Sequence, residues 1–128
     1  MGIYVATVST DGSGDGTNLD ALGLTKWNGI FRGLLTAVKF DYSASTDAGA
    51  DTTLTEISGL QRTLITKSNS ATDFTAYPRI QATDSGGTAI AGAYEFARVD
   101  SANLKVTIAQ GGATVTDAIR VIVDILED

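Results

Sequence analysis

The 128-residue sequence contains no cysteine and no histidine, and only one proline and one methionine. The absence of cysteine excludes disulfide bonds, thiolate metal sites and cysteine nucleophiles, and the absence of histidine excludes a catalytic triad that needs an imidazole base. Basic residues are also scarce: nine lysines and arginines stand against fifteen aspartates and glutamates, for a net charge of −6. We therefore expect no nucleic-acid partner, because binding to phosphate backbones needs positive charge.

Long apolar runs are absent too. No segment approaches the roughly 20 apolar residues needed to cross a bilayer, and residues 1–5 lack the basic segment that opens a secretory signal. The sequence therefore predicts no membrane partner and synthesis in the cytoplasm.

The residues that are abundant favour β-structure. Threonine occurs 18 times and glycine 14 times. Threonine suits the half-exposed surface of a sheet and glycine suits turns, whereas strong helix formers are few. About eight short strand patterns follow one another at spacings typical of all-β domains, which predicts a β-sandwich or jelly roll.

The chain divides at a glycine- and serine-rich stretch. Residues 3–8 read as a short apolar strand, and residues 9–20 are nearly all small or turn-forming. We therefore predict an N-terminal strand and flexible arm over residues 1–28 and a β-sandwich body over residues 29–128. We expect the first strand to lie apart from the core or to pair with another chain. Deletion of residues 1–28 should leave the body folded but weaken its association with other chains.

Two long alternations predict strands with one buried face. The first predicts a face formed by Leu34, Thr36, Val38, Phe40 and Tyr42, with a bend or bulge near Gly29 or Gly33. The second predicts a face formed by Ile119, Val121, Val123 and Ile125. Its opposite face mixes Arg120 and Asp124 with Ile122 and Leu126, which suggests that something other than water covers it. A helix over residues 117–127 is the rival interpretation.

A weak calcium-loop pattern lies in residues 11–16. Asp11, Ser13 and Asp15 occupy the first, third and fifth positions of such a loop. The twelfth position, which requires a bidentate glutamate, is Leu22, so a solvated loop is the favoured interpretation and no metal is predicted.

No pattern indicates catalysis. The sequence singles out no carboxylate pair, contains no G-x-S-x-G turn, and places no Lys-Ser/Thr after its glycine-rich loops. We therefore predict that the chain is not an enzyme and needs no cofactor. Tyr77, Tyr94 and Phe96 could stack on sugars, although core packing and cross-strand pairing are the expected roles.

The order of several segments resembles a known family. Residues 32–39 (RGLLTAVK) open a long strand after a loose arm, and residues 77–79 (YPR), 84–90 (DSGGTAI) and 104–111 (LKVTIAQG) follow. This order resembles small head-associated proteins of tailed bacteriophages, of the capsid decoration or cement type.

The resemblance implies a non-enzymatic virion protein on the outer capsid surface. Such a protein would bind between major capsid protein subunits, usually as a homotrimer. The alternatives are a tail, neck or fibre β-domain and a carbohydrate-binding module. The candidate interface residues are apolar side chains of the first strand, the arm and the mixed face: Ile3, Tyr4, Val5, Leu19, Leu22, Trp27, Ile122 and Leu126.

Overall fold

The computed structural model describes residues 2–18, 31–57 and 60–127, and all regular structure in these ranges is β. The prediction of an all-β sandwich is confirmed. The described residues form ten strands rather than about eight, because Gly16–Thr17 form an additional short strand and one predicted strand is divided into two. The strands are β1 (Gly2–Val8), β2 (Gly16–Thr17), β3 (Phe31–Tyr42), β4 (Asp51–Glu56), β5 (Thr63–Lys67), β6 (Phe74–Ala76), β7 (Arg79–Thr83), β8 (Ala89–Ala102), β9 (Leu104–Ala109) and β10 (Ile119–Glu127).

The strands form two antiparallel sheets. The larger has six strands in the order β1-β10-β3-β8-β7, with β6 also paired to β3. The smaller has four strands in the order β2-β9-β4-β5. The chain passes from the larger sheet to the smaller through Asn103, between β8 and β9.

The core lies between the two sheets. Its largest fully buried side chains come from both sheets, as an alternating pattern on facing sheets requires. Phe40 stacks on Phe74 with ring centroids 4.7 Å apart, which packs β6 against β3. The fully buried set is Phe40, Leu35, Leu54, Leu104, Ile108, Ile119, Ile125, Val8, Val38, Val99 and Val106.

The predicted face of β10 is confirmed. Ile119, Val121, Val123 and Ile125 are all fully buried, and residues 119–127 form a strand, not a helix. The β-branched side chains in this segment fit a pleated strand better than a helical turn.

The predicted face of β3 is only partly right, because a bulge changes its alternation. Leu35 pairs with Ile125 and Ala37 pairs with Asp124, so Thr36 is an extra residue opposite β10. The bulge turns Leu35 into the core in place of Leu34, and Leu34 and Thr36 are half-buried. A second irregularity lies between Phe31 and Gly33 and confirms the expected bulge near Gly33, whose φ is +136°.

The pattern of residues 74–83 predicts one strand, at a sheet edge or with a bulge, and the single proline divides it into two. Residues before Pro78 form β6, which pairs with β3, and residues after it form β7, which pairs with β8. Because proline cannot donate a ladder hydrogen bond, the change of partner falls at the residue that would interrupt the ladder.

The first strand belongs to the larger sheet. All seven residues of β1 pair with β10, from Gly2 opposite Ile125 to Val8 opposite Ile119, with no register shift. Ala6 and Val8 are buried in the core. The expectation was a strand lying apart from the body. Instead β1 belongs to the sheet, because its side chains alternate and those on one side, Ala6 and Val8, fill the core.

We predict that deleting residues 1–8 destabilises the body. The deletion exposes one edge of β10 and removes the buried Val8 side chain, whose burial alone is worth roughly 1.5–3 kcal/mol. The free energy of unfolding, measured by urea denaturation, should therefore fall by about 3 kcal/mol. A control Ile3→Ala substitution at an exposed position should cost less than about 1 kcal/mol. A deletion variant as stable as the wild type would contradict this placement of β1.

A buried side chain extends the smaller sheet beyond β2. The Asn18 amide donates to the Leu104 carbonyl at 3.1 Å, and its oxygen accepts from the Val106 N–H at 2.9 Å. The Asn18 N–H also donates to the Val106 carbonyl. Asn18 is fully buried, so its side chain continues the hydrogen bonding of β9 where β2 ends.

Substitution of Asn18 tests this role. Asn18→Ala leaves a buried N–H and a buried carbonyl of β9 without their partner, which should cost about 2–4 kcal/mol in the free energy of unfolding. Asn18→Asp keeps the shape but places a carboxylate against the Leu104 carbonyl, and it should cost at least as much. Urea denaturation of both variants measures the effect, and an Asn18→Ala change below about 0.5 kcal/mol would refute it.

Candidate interaction surface

Two strongly exposed apolar side chains of the larger sheet lie at its β1 edge. Along β1, side chains alternate between the core and the outside, so Ile3 and Val5 point outward and are 68% and 52% exposed. Among the described strands β1 pairs with β10 alone. The strand contains no charged residue, no proline and no bulge, which are the features that commonly protect a sheet edge from further pairing.

Two β10 residues extend this apolar surface across the outer face. Ile122 lies opposite Val5 in the register, and Leu126 lies opposite Leu34 on the other side of the strand. Ile122 is half-buried and Leu126 is 46% exposed. We call Ile3, Val5, Ile122 and Leu126 the edge patch. The structure therefore brings together four of the eight predicted interface residues.

Charged groups of β10 lie beside the edge patch. Arg120 binds Asp41 of β3 through a contact of 3.2 Å between Nη2 and Oδ2. Asp124 lies opposite Ile3 on one side and opposite Ala37 on the other. Its Oδ1 atom is buried and has no hydrogen-bond partner. The sequence pattern indicated that β10 has a mixed outer face but gave no sign of an unpartnered oxygen there.

Tyr4 is not part of the edge patch. It lies on the same side of β1 as Ala6 and Val8 and packs against the core. Its hydroxyl donates to Glu127 Oε1. This hydrogen bond, together with desolvation and the negative charge of Glu127, raises the pKa of Tyr4. Tyr4 therefore holds the first strand to the end of the last. Three further predicted interface residues, Leu19, Leu22 and Trp27, lie outside the described residues.

The predicted calcium loop is a turn closed by one carboxylate. Asp11 Oδ1 accepts from the N–H groups of Ser13 at 2.8 Å and Asp15 at 3.1 Å, and Gly14 adopts a φ of +83°. The Asp11 and Asp15 backbones also bond to each other. No group of three or more acidic side chains suited to a metal occurs in the described ranges. Asp11 thus has a structural role in the turn. Calcium binding by Asp11 stays a hypothesis.

A second turn repeats this geometry at the tip of the β7–β8 hairpin. Asp84 Oδ1 accepts from the N–H groups of Gly86 and Thr88, and Gly87 has a φ of +85°. Residues 83–92 of this hairpin are all exposed. Since the same Asp-x-x-Gly-x arrangement closes both turns, turn chemistry explains the aspartate and glycine spacing without a metal.

Two open grooves also mark the surface. One, of about 370 Å³, is lined by Asp11, Asp15, Gly16, Thr17, Lys105 and Thr107. The other, of about 330 Å³, is lined by Leu34, Arg62, Ile80, Glu95, Phe96 and Arg98. In the second groove Arg62 binds Glu56 at 2.5 Å and donates to the Arg98 carbonyl at 2.6 Å, so its guanidinium joins the two sheets. Arg62 therefore has a structural role in this groove.

The aromatic residues considered for sugar binding have different environments. Tyr77 and Tyr94 are 62% and 58% exposed, so the expected core packing is wrong for both. Phe96 is half-buried and covered by the Arg79 guanidinium, 4.0 Å from its ring centroid. Phe96 therefore has a packing partner within the chain.

Comparisons with known proteins found no relative of the chain. No family model, no curated protein and no solved structure matches the chain. Among the described residues, no helix is long and apolar enough to cross a membrane.

The Asp11 turn predicts a dependence of stability on pH. The N–H groups of Asp15 and Ser13 favour the carboxylate and lower the pKa of Asp11. A group whose pKa is lower in the folded state stabilises the fold above its unfolded pKa, near 4, and this contribution is lost as the pH falls through the folded pKa. Asp11→Asn keeps an oxygen acceptor that does not titrate. Its melting temperature should therefore fall less steeply than that of the wild type between pH 5 and pH 2.

A matched Asp11→Ala variant removes the acceptor at every pH. It should melt below both other proteins at pH 7. Identical pH profiles for the wild type and Asp11→Asn would show that the carboxylate does not contribute in this way.

Proposed function

We propose that the chain is a non-enzymatic structural protein of a bacteriophage virion that binds between major capsid protein subunits and reinforces the shell. The observation that supports binding is the β1 edge, which pairs with β10 alone among the described strands and lies beside the exposed apolar edge patch. The bacteriophage class rests on the resemblance of residues 32–39, 77–79, 84–90 and 104–111 to head-associated proteins.

The β1 edge suits attachment by strand addition. A strand laid along β1 would gain main-chain hydrogen bonds, and its side chains could cover Ile3, Val5 and Ile122. Natural proteins usually protect an edge of this length and apolar character, so an unprotected one indicates a surface kept for a partner.

Assembly on a shell compensates for a small individual contact. In the proposed arrangement a homotrimer on the outer capsid surface presents three copies of the edge to neighbouring subunits, and joint attachment makes weak contacts collectively strong. The net charge of −6 limits non-specific attraction to nucleic acid released during assembly.

Imaging of particles from the source phage tests the proposal at its broadest. Cryo-electron microscopy should show the chain on the shell in hundreds of copies. A handful of copies at the neck or tail would instead support the alternative of a tail, neck or fibre domain.

The exposed Tyr77 and Tyr94 favour a second candidate function, carbohydrate binding. Binding to a glycan array that is lost in Tyr94→Ala would support it.

A charge placed in the edge patch provides the local test. Val5→Asp puts a carboxylate on the outward side of β1, where a bound strand would desolvate it, and should weaken binding to shells lacking the protein at least tenfold. Because Val5 is 52% exposed, the thermal midpoint should change little.

Ile90→Asp is the matched control. Ile90 is 46% exposed on the β7–β8 hairpin, away from β1, so its substitution should leave shell binding unchanged. Equal binding by Val5→Asp and the wild type, measured by co-sedimentation with shells, would rule out the β1 edge as the attachment surface.

A further inference from the structure

The outer face of β10 holds a polar atom that the described chain leaves without a partner. Asp124 Oδ1 is buried and accepts no hydrogen bond. A buried acceptor of this kind lowers stability, and in a native protein it calls for a physical explanation. Asp124 is opposite Ile3 of the edge patch, so the unpartnered oxygen lies next to the surface already implicated in binding.

None of the described residues beside Asp124 donates a hydrogen bond to Oδ1. Lys39 of β3, opposite Ile122 on the same face, is exposed to solvent. Arg120, which is on the same face of β10, is bound to Asp41. The neighbours opposite Asp124 are Ile3 and Ala37, neither of which has a side-chain donor. At the Thr36 bulge, the threonine hydroxyl donates to the main-chain oxygen of Asp124 at 2.9 Å, not to its carboxylate.

We propose that Asp124 receives a lysine or arginine side chain from the partner that binds along β1. This inference rests on the proposed function and specifies the partner's chemistry: an extended strand with a cationic side chain next to apolar ones. A carboxylate only accepts hydrogen bonds, and bonds between ionised partners are about twice as strong as neutral ones. The chain's net charge of −6 also favours a cationic partner.

If Asp124 has this role, its substitution should raise the stability of the isolated protein and weaken its binding to shells. Asp124→Val removes the buried, unpartnered Oδ1 together with the rest of the carboxylate and should raise the thermal midpoint of the isolated protein by about 4 °C. The same substitution should weaken binding to shells lacking the protein at least tenfold. Asp124→Asn, which keeps the shape and loses the charge, should also bind more weakly. In both variants binding should depend less on salt than in the wild type, because one ion pair is lost.

Glu95→Gln is the matched control, since it removes one negative charge at an exposed residue of β8. It should leave both shell binding and its salt dependence unchanged. Asp124 variants that bind shells like the wild type, while Val5→Asp does not, would overturn the inference and leave the proposed function standing. Failure of the wild-type protein to bind shells would overturn the proposed function, and the inference with it.

Discussion

The pairing of β10 with β1 on one side and β3 on the other is the interaction on which the rest of the structure depends. It joins both ends of the chain in one sheet, and the inner side of β10 supplies Ile119, Val121, Val123 and Ile125 to the core. Because the inner side is wholly apolar, the strand is fixed in register: a slip of one residue would expose all four side chains and bury Arg120. The outer side is consequently free to carry residues that the core does not need, and this is where the edge patch lies.

The sequence predicted the parts of this arrangement that depend on local alternation. The buried face of β10, the strand character of residues 119–127 and the all-β class follow from period-two apolar spacing and from the threonine and glycine content. The mixed outer face with Ile122 and Leu126 was also visible in the spacing of side chains. For the first strand, however, the prediction named Ile3, Tyr4 and Val5 together and did not separate its two sides.

Features that arise from pairing between distant segments could not be predicted in this way. The bulge at Thr36 depends on which residue of β10 lies opposite, so nothing in residues 34–42 shows that Leu35 replaces Leu34 in the core. The same holds for Asn18, which resembles an ordinary loop residue until β9 is placed beside it. The first strand was assigned to an arm because the glycine-rich stretch after it suggested separation, whereas its pairing with β10 spans nearly the whole chain length.

An edge strand such as β1 could also pair with the β1 strand of a second copy of the protein. The seven residues of β1 include neither lysine nor arginine, so a second β1 laid alongside would bring no cationic donor to Asp124. Such a pair would leave the buried Oδ1 without a partner, as it is in the isolated chain. A partner strand that carries a cation, as proposed, would instead form an ion pair with the carboxylate. Asp124 would then lower the stability of the isolated chain and still favour a cationic partner strand over a second β1. Specificity depends on the difference between the binding free energies of these two partners.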